Sequence, residues 1–564
     1  MLLFPFRYLW WLVGGIRRSV GRPPDFIELV IEEDLPALPD APRPLWQRLL
    51  GSRRRLSLRE LAERFDAIGR DSRIKGVVLH LRPVGMPMAT LQDLRQLVAE
   101  LRRKGKRVVA WAPFYTTGTY YLACACDEIL LMPVGMVAPL GMASSGFFLA
   151  DGLARIGIKA DFVQISPYKS AADPLTRATM SDEYREQVTW LLASQHAELV
   201  SAIAEGRLVD EKGATQIIDG SPYGDDVAVD KHVVDRVVAE EQLAEHLGRG
   251  SQAPVAIGTW DRARRNMRVP PPVLGRRPYV ALIRIEGTIV DGRSGRMPVR
   301  PPVEVPFLGE ERAGDLTVVQ VARQVAADKR AAACVVYVNS RGGSATASEA
   351  MRQALSVVAS RKPMVVVMGP VAGSGGYWVA TPGSWIVARP STLTGSIGVL
   401  TGKVVTGGAW AKLLFNRETI AFGQHATLDN DERPYTDEER GIVRRGIERT
   451  YGIFLDVVAT ARKMTADDLH PIAAGRVWTG RQALERKLVD ELGGLEAGTR
   501  KARALAGLEE SARLREVRPP KRAIMPQAPP VAAEAWIAYA LESLALLGRA
   551  PALAVMEYLQ KDLA

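Results

Sequence analysis

The chain has 564 residues, 47% of them hydrophobic and 24% charged. That ordinary globular balance excludes a disordered chain, a collagen-like repeat and a polytopic membrane protein, and the length suits two to four domains. The net charge of +11 comes from 58 arginines and 16 lysines against 63 acidic residues. These basic residues are scattered and no nucleic-acid-binding signature accompanies them, so no nucleic-acid partner is expected. Cys124, Cys126 and Cys334 are too few for a disulfide framework or a zinc site. Each lies in an apolar stretch and reads as a small buried hydrophobe.

Residues Met1 to Ile16 (MLLFPFRYLWWLVGGI) are apolar and aromatic, with Arg17, Arg18 and Arg22 behind them. As a helix this run rises about 24 Å, short of the roughly 30 Å hydrocarbon core, and Pro5 and Arg7 interrupt it. No basic stretch precedes the run and no A-x-A site follows, which argues against a cleavable signal. Tyr8, Trp10 and Trp11 suit the headgroup region. Residues 1–24 are therefore expected to associate with a membrane as an interfacial anchor, with a marginal spanning helix and a helix docked on the protein as alternatives.

The body of the chain is duplicated. IKGVVLHL (74–81) parallels AACVVYVN (332–339), each an apolar run followed by a glycine turn and an amphipathic helix. KRVVAWAPFYTTGTYYLACACDEILLMP then parallels KPMVVVMGPVAGSGGYWVATPGSWIVARP, setting Thr117 opposite Ser374 and Pro133 opposite Pro390. Farther on, Ser181 matches Thr436 and Asp235 matches Asp490. Two homologous domains, 25–248 and 278–508, are expected, joined by a linker at 249–277. A Pro-rich linker and an amphipathic tail with helical periodicity follow at 509–564; oligomer packing and membrane contact are equally open for that tail. Short β-rich apolar runs alternating with amphipathic helices predict parallel strands with right-handed crossovers, an α/β architecture.

In the second repeat, MGPVAGSGGYWVA places Ser374 between a buried strand and a helix that begins near Tyr377. The flanking glycines permit a tight turn, and the start of the helix favours negative charge beside the serine. A second glycine turn, NSRGGSATASEAM, follows the preceding strand. The backbone N–H groups of Gly342 and Gly343 are placed to face an oxyanion across from Ser374. Among the six histidines, His425 is the best candidate to activate the serine, although a surface loop is the plainer reading of its segment FGQHATLDN. No metal-ligand spacing appears, and neither metal nor cofactor is expected.

The segments GSGGYW, SRGGSATASE and PSTLTGSIGV together resemble the signal peptide peptidase A (protease IV) family in its long, duplicated form, within the Clp-protease/crotonase superfamily. The likeness covers residues 55–508 and includes VQISPYKSAADPLTR, similar to the family's lysine segment. It implies two tandem Clp-protease/crotonase-like (β/β/α superhelix) domains and a serine endopeptidase with a Ser–Lys dyad. Ser374 matches the nucleophile, Lys169 the general base and acid, and Ser396 a serine that orients the lysine. Gly342, Gly343 and Gly375 match the oxyanion donors. A lysine desolvated beside a serine sheds its proton more readily and is able to accept the hydroxyl proton. The first repeat has Thr117 at the nucleophile position and Pro139 opposite Ser396, while the second has His425 or Ala426 opposite Lys169. One composite site per chain is therefore expected.

The family likeness also implies short apolar peptides, such as released signal peptides, as substrates, a homotetramer as the assembly, and attachment to the bacterial inner membrane. The arginines behind the first apolar run leave the side of the membrane open. A crotonase-like acyl-CoA enzyme and a non-catalytic membrane scaffold are the alternatives.

Overall fold

The computed structural model describes residues 21–40, 55–249, 254–268, 277–295, 311–519 and 553–555, and the isolated positions 8, 11 and 18. Apart from Tyr8 and Trp11, whose rings lie 5.5 Å apart, the apolar run Met1–Ile16 is outside the described residues. So is the 509–564 tail beyond Pro519, apart from Leu553–Val555. Among the described residues no helix is long and apolar enough to cross a membrane.

Two compact units make up the chain. The first comprises residues 1–143, 195–276 and 560–564; the second comprises 144–194 and 277–559. The repeats at 25–248 and 278–508 are units of sequence likeness; compactness assigns 144–194, from the first repeat, to the second unit.

In the first unit, β1 (Phe26–Ile31), β2 (Gly76–Leu81), β3 (Arg107–Thr116) and β4 (Glu128–Ala138) are parallel neighbours in chain order. The helices α1 (Leu58–Arg70), α2 (Met88–Arg103) and α3 (Thr117–Ala123) connect them. Every residue of β2 is buried, as expected where both sheet faces are covered. Helix α1 starts at a Ser57/Glu60 capping box and buries Leu58, Leu61, Phe65 and Ile68 along one stripe.

The second unit repeats the plan with Tyr279–Glu286, Ala331–Ser340, Met364–Gly373 and Trp385–Ala388, again parallel neighbours in chain order. The duplication extends to individual polar contacts. Asp235 accepts from Ile129 N–H at 2.7 Å and from Arg207 at 2.8 Å. Asp490 accepts from Ile386 N–H at 2.8 Å and from Arg462 at 2.6 Å. The Tyr120 hydroxyl donates to Val233 O at 2.7 Å, as Tyr377 does to Leu488 O at 2.8 Å. Lys106 holds the carbonyls of Asp71 and Ile74, and Lys362 those of Asp328 and Ala331. These contacts close the same turns twice and satisfy buried backbone groups that would otherwise be costly. The three cysteines are free and buried, and burial pushes the thiols of Cys124 and Cys334 up to about 12.

The second unit also has a separate sheet, in which Lys159–Gln164 pairs antiparallel with Leu400–Val405 over six residues. Asp161 anchors this pair. Its carboxylate accepts from Tyr435 N–H at 2.8 Å and from the Arg440 guanidinium at 2.5 Å.

One buried carboxylate ties the first unit together. Asp71 accepts two hydrogen bonds from the Arg73 side chain and one from Arg268 N–H, while Arg73 reaches the carbonyls of Arg18, Gly21 and Asn266. Burial pushes the Asp71 carboxyl up, but the hydrogen bonds from Arg73 and Arg268 outweigh it and hold it down at about 2. A depressed carboxylate contributes stability above its unfolded pKa of about 4 and loses it as pH falls through the folded value. Asp71→Asn should therefore cost about 2 kcal/mol at pH 7. In urea titrations the gap from wild type should narrow between about pH 4 and pH 2; a gap independent of pH would contradict this account.

Candidate active site

The serine sits where a buried strand gives way to a short helix, Gly375–Ala380. Ser374 has φ +56° and ψ −118°, a region that non-glycine residues rarely occupy. Such a conformation costs about 1–3 kcal/mol and persists only where its surroundings impose it. Here the imposition is visible: Ser374 N–H donates to Gly395 O at 2.8 Å, and Ser374 O accepts from Trp378 N–H at 2.9 Å. The opposing strand, Leu393–Gly395, leads directly into Ser396, which also has a positive φ of 50° and donates its N–H to Arg476 O at 2.7 Å.

Lys169 arrives on the loop that follows Lys159–Gln164. Pairing of that strand with Leu400–Val405 is continued by Ile165 N–H to Val399 O at 3.0 Å and by the Ser166 hydroxyl to Ala474 O. The chain then turns at Lys169, whose N–H donates to Ser166 O at 3.1 Å. Its side chain is 1% exposed, Ser374 0% and Ser396 2%. Lys169 Nζ lies 2.7 Å from Ser374 Oγ, 2.9 Å from Ser396 Oγ and 3.0 Å from Ser396 O. All three oxygens lie within hydrogen-bonding reach of the amine; a lysine that had lost its proton would have two N–H donors for Ser396 and a lone pair for the Ser374 hydroxyl.

Gly342 and Gly343 follow the strand Ala331–Ser340, with φ +99° and +148°. A Cβ on Gly343 would stand 2.0 Å from Ile289 O, so only glycine fits. The Cβ position of Gly375 lies 3.1 Å from Gly342 Cα and 3.3 Å from Gly343 N, so the three glycines form one patch of bare backbone beside the serine. The structure thus brings together Ser374, Lys169, Ser396, Gly342, Gly343 and Gly375. His425 is exposed in a turn, with its carbonyl accepting from Leu428 N–H. In the first unit Thr117 opens α3, its hydroxyl donating to Gly141 O at 3.3 Å.

Several contributors escaped sequence reasoning. Gly475 (φ +84°) has its Cβ position 2.7 Å from both Cβ and N of Lys169, so its lack of a side chain admits the lysine backbone. Its signal is a lone glycine in AAGRVW with no turn partner. Gly398 O, 3.5 Å from Ser374 Oγ, marks the other side of the serine. Behind the lysine loop, Tyr168, Trp190 and Trp478 stack at 6.0 and 5.0 Å. Arg476 lies over the Tyr168 ring at 3.9 Å. The first half of the helix Asp182–Arg207 is fixed to Val477–Thr479: Trp190 Nε1 donates to Val477 O, and Val477 N–H to Gln187, each at 2.9 Å.

A duplicated α/β fold with a buried serine, a lysine in contact with it and facing glycine backbone defines a serine hydrolase. The model of peptidase family S49 matches residues 100–253 and 356–509. The chain is 31% identical over 456 residues to Protease 4 of Salmonella typhi, covering 78% of this chain and 70% of that protein. It is 28% identical over 449 residues to Protease 4 of Haemophilus influenzae, covering 77% and 71%. Against the chloroplastic serine protease SPPA of Arabidopsis thaliana it is 29% identical over 448 residues, covering 78% of this chain and 64% of the plant protein, so it spans less than two thirds of that relative. The chain belongs to peptidase family S49, in the duplicated form. Its class is serine peptidase, and the acyl-CoA and scaffold alternatives are not favoured.

Because Gly475 makes room for the lysine, Gly475→Ala should lower turnover of a fluorogenic apolar peptide at least tenfold, a displacement of about an ångström at a reacting group being enough. Circular dichroism should remain that of the wild type. Undiminished turnover would show that the close approach of residue 475 does not set the position of Lys169.

Proposed function

We propose that the protein is a Ser–Lys endopeptidase that degrades short, extended, apolar peptides such as released signal peptides. The observation that carries this reading is the 2.7 Å contact between Lys169 Nζ and Ser374 Oγ. In the proposed reaction the Lys169 amine takes the Ser374 hydroxyl proton as Oγ attacks the peptide carbonyl. Backbone N–H groups of the Gly342, Gly343 and Gly375 patch stabilise the tetrahedral oxyanion. Lys169 then gives the proton to the departing amine, and a water molecule, activated the same way, releases the acyl group. Ser396 holds the lysine in line by accepting its other hydrogens. No metal or cofactor enters these steps.

The rest of the reading concerns assembly and place. The second unit leaves Phe147, Leu414, Ile420 and Phe422 88%, 86%, 89% and 94% exposed. So much uncovered apolar surface supports burial against further copies of the chain, and a homotetramer is the assembly we propose. Light scattering in solution tests it, and a monomer at micromolar concentration would contradict it. Association with the inner-membrane surface rests on the sequence of Met1–Ile16, and co-sedimentation with anionic liposomes tests it.

The central test is substitution at both members of the pair. Ser374→Ala should abolish peptide hydrolysis by several orders of magnitude with fold and assembly intact. Lys169→Arg keeps the positive charge, but a guanidinium does not give up its proton in this pH range. Its activity should therefore collapse as far as that of Lys169→Ala. Retention of near wild-type rates by Lys169→Arg would remove the lysine from the role of base.

A further inference from the structure

Side chains alternate between the two faces of a strand, so Phe26, Glu28 and Val30 share one face of β1, and Val78 and His80 share one face of β2. In the parallel register Glu28 stands beside Val78, and Val30 beside His80. Phe26, Val78, Trp111, Leu243 and Leu247 pack together in one apolar cluster on this face. His80 is 4% exposed, with its ring T-shaped to that of Trp111 at 4.4 Å. Trp111 Nε1 donates to Val238 O at 2.9 Å, and Val238 N–H donates to Leu131 O at 2.8 Å. These two bonds fix the chain just ahead of Glu240, which opens a short turn of helix, Glu240–Gln242. One nitrogen of His80 and one carboxylate oxygen from each of Glu28 and Glu240 lie within 4.8 Å of one another.

The protein's own hydrogen bonds do not satisfy this imidazole. Nδ1 lies 3.2 Å from Glu28 Oε1, while Nε2 is buried with no hydrogen-bond partner. With the proton on Nδ1, Nε2 keeps an unused lone pair. With the proton on Nε2, the Nδ1 lone pair faces a carboxylate, a contact that only a cation between them makes favourable. A doubly protonated ring would bury a charged N–H with nothing to accept it. Each neutral tautomer therefore leaves one ring nitrogen open to a metal. Among the described residues neither Glu28 nor Glu240 is paired with a lysine or arginine, although the chain carries 74 of them.

We infer that Glu28, His80 and Glu240 form a binding site for a zinc ion, with water as the fourth ligand. One imidazole and two carboxylates make a mixed nitrogen and oxygen set that suits zinc. Tetrahedral zinc with bonds of about 2.0–2.2 Å puts neighbouring ligand atoms about 3.4 Å apart. The Glu28–His80 pair is already near that spacing, and rotation of the exposed Glu240 side chain closes the remainder. The ion ties β1 and β2 to the segment that follows Val238, so its role is structural. The site belongs to the first unit, whereas Ser374 and Lys169 belong to the second. No spacing along the chain announces it, because the three ligands come from three elements.

The test uses untagged full-length protein, stripped with a chelator, and zinc chloride alone. Isothermal titration should give one ion per chain with a micromolar Kd, and zinc should raise the Tm. Glu240→Gln touches only an exposed side chain, and it should weaken binding at least tenfold. Glu28→Gln should do the same, since even the outer partners of metal ligands are worth about that much. His470→Ala, at an exposed histidine outside the site, should bind as the wild type does. Failure of the wild type to bind at about 50 µM zinc would overturn the inference. An affinity unchanged in Glu28→Gln or in Glu240→Gln would also overturn it, leaving an adventitious ion only. None of these readouts depends on peptide hydrolysis.

Discussion

The site depends on one buried contact, Lys169 Nζ to Ser374 Oγ, and on the means by which a lysine is held there. Burying an amine is unfavourable unless oxygen atoms replace its water. The structure supplies Ser374 Oγ, Ser396 Oγ and Ser396 O within 3.0 Å. These oxygens are in turn fixed by backbone: Ser374 by Gly395 and Trp378, and Ser396 by Arg476. Both serines adopt positive φ, so each residue that faces the lysine carries backbone strain.

Delivery of the lysine is a matter of strand pairing. Lys159–Gln164 is docked along Leu400–Val405, and Lys169 follows five residues after the strand ends. That pairing explains why compactness groups residues 144–194 with the serine rather than with the repeat from which they come in sequence. A duplicated ancestor would carry two sites. Here Thr117 stands opposite Ser374 and the exposed His425 or its neighbour opposite Lys169, and Ser374 and Lys169 lie within one compact unit.

The fold was legible in the sequence because local pattern and long-range order agree. Apolar runs such as VVVMG became fully buried parallel strands, and the matched offsets reappeared as paired contacts of Asp235 and Asp490, Tyr120 and Tyr377, Lys106 and Lys362. The serine was legible from its glycines. The lysine was not legible from its own surroundings, since its burial comes from strand pairing and from Gly475, more than three hundred residues away. The tail shows the limit of periodicity. Helical spacing over 533–559 gave no hint that Leu553–Val555 pairs as a strand, because its partners are backbone groups of a distant glycine turn. Pro551 is the local clue in the sequence, since a proline disfavours continuing a helical pattern.

The central claim is that Ser374 is a nucleophile because Lys169 touches it. Fluorophosphonate labelling of the full-length protein, mapped by peptide mass spectrometry, addresses this without a substrate. The account predicts a single adduct on Ser374 in the wild type, and at least a hundredfold slower labelling of the same residue in Lys169→Ala. Equal labelling rates in the two proteins, or an adduct on another serine, would contradict it.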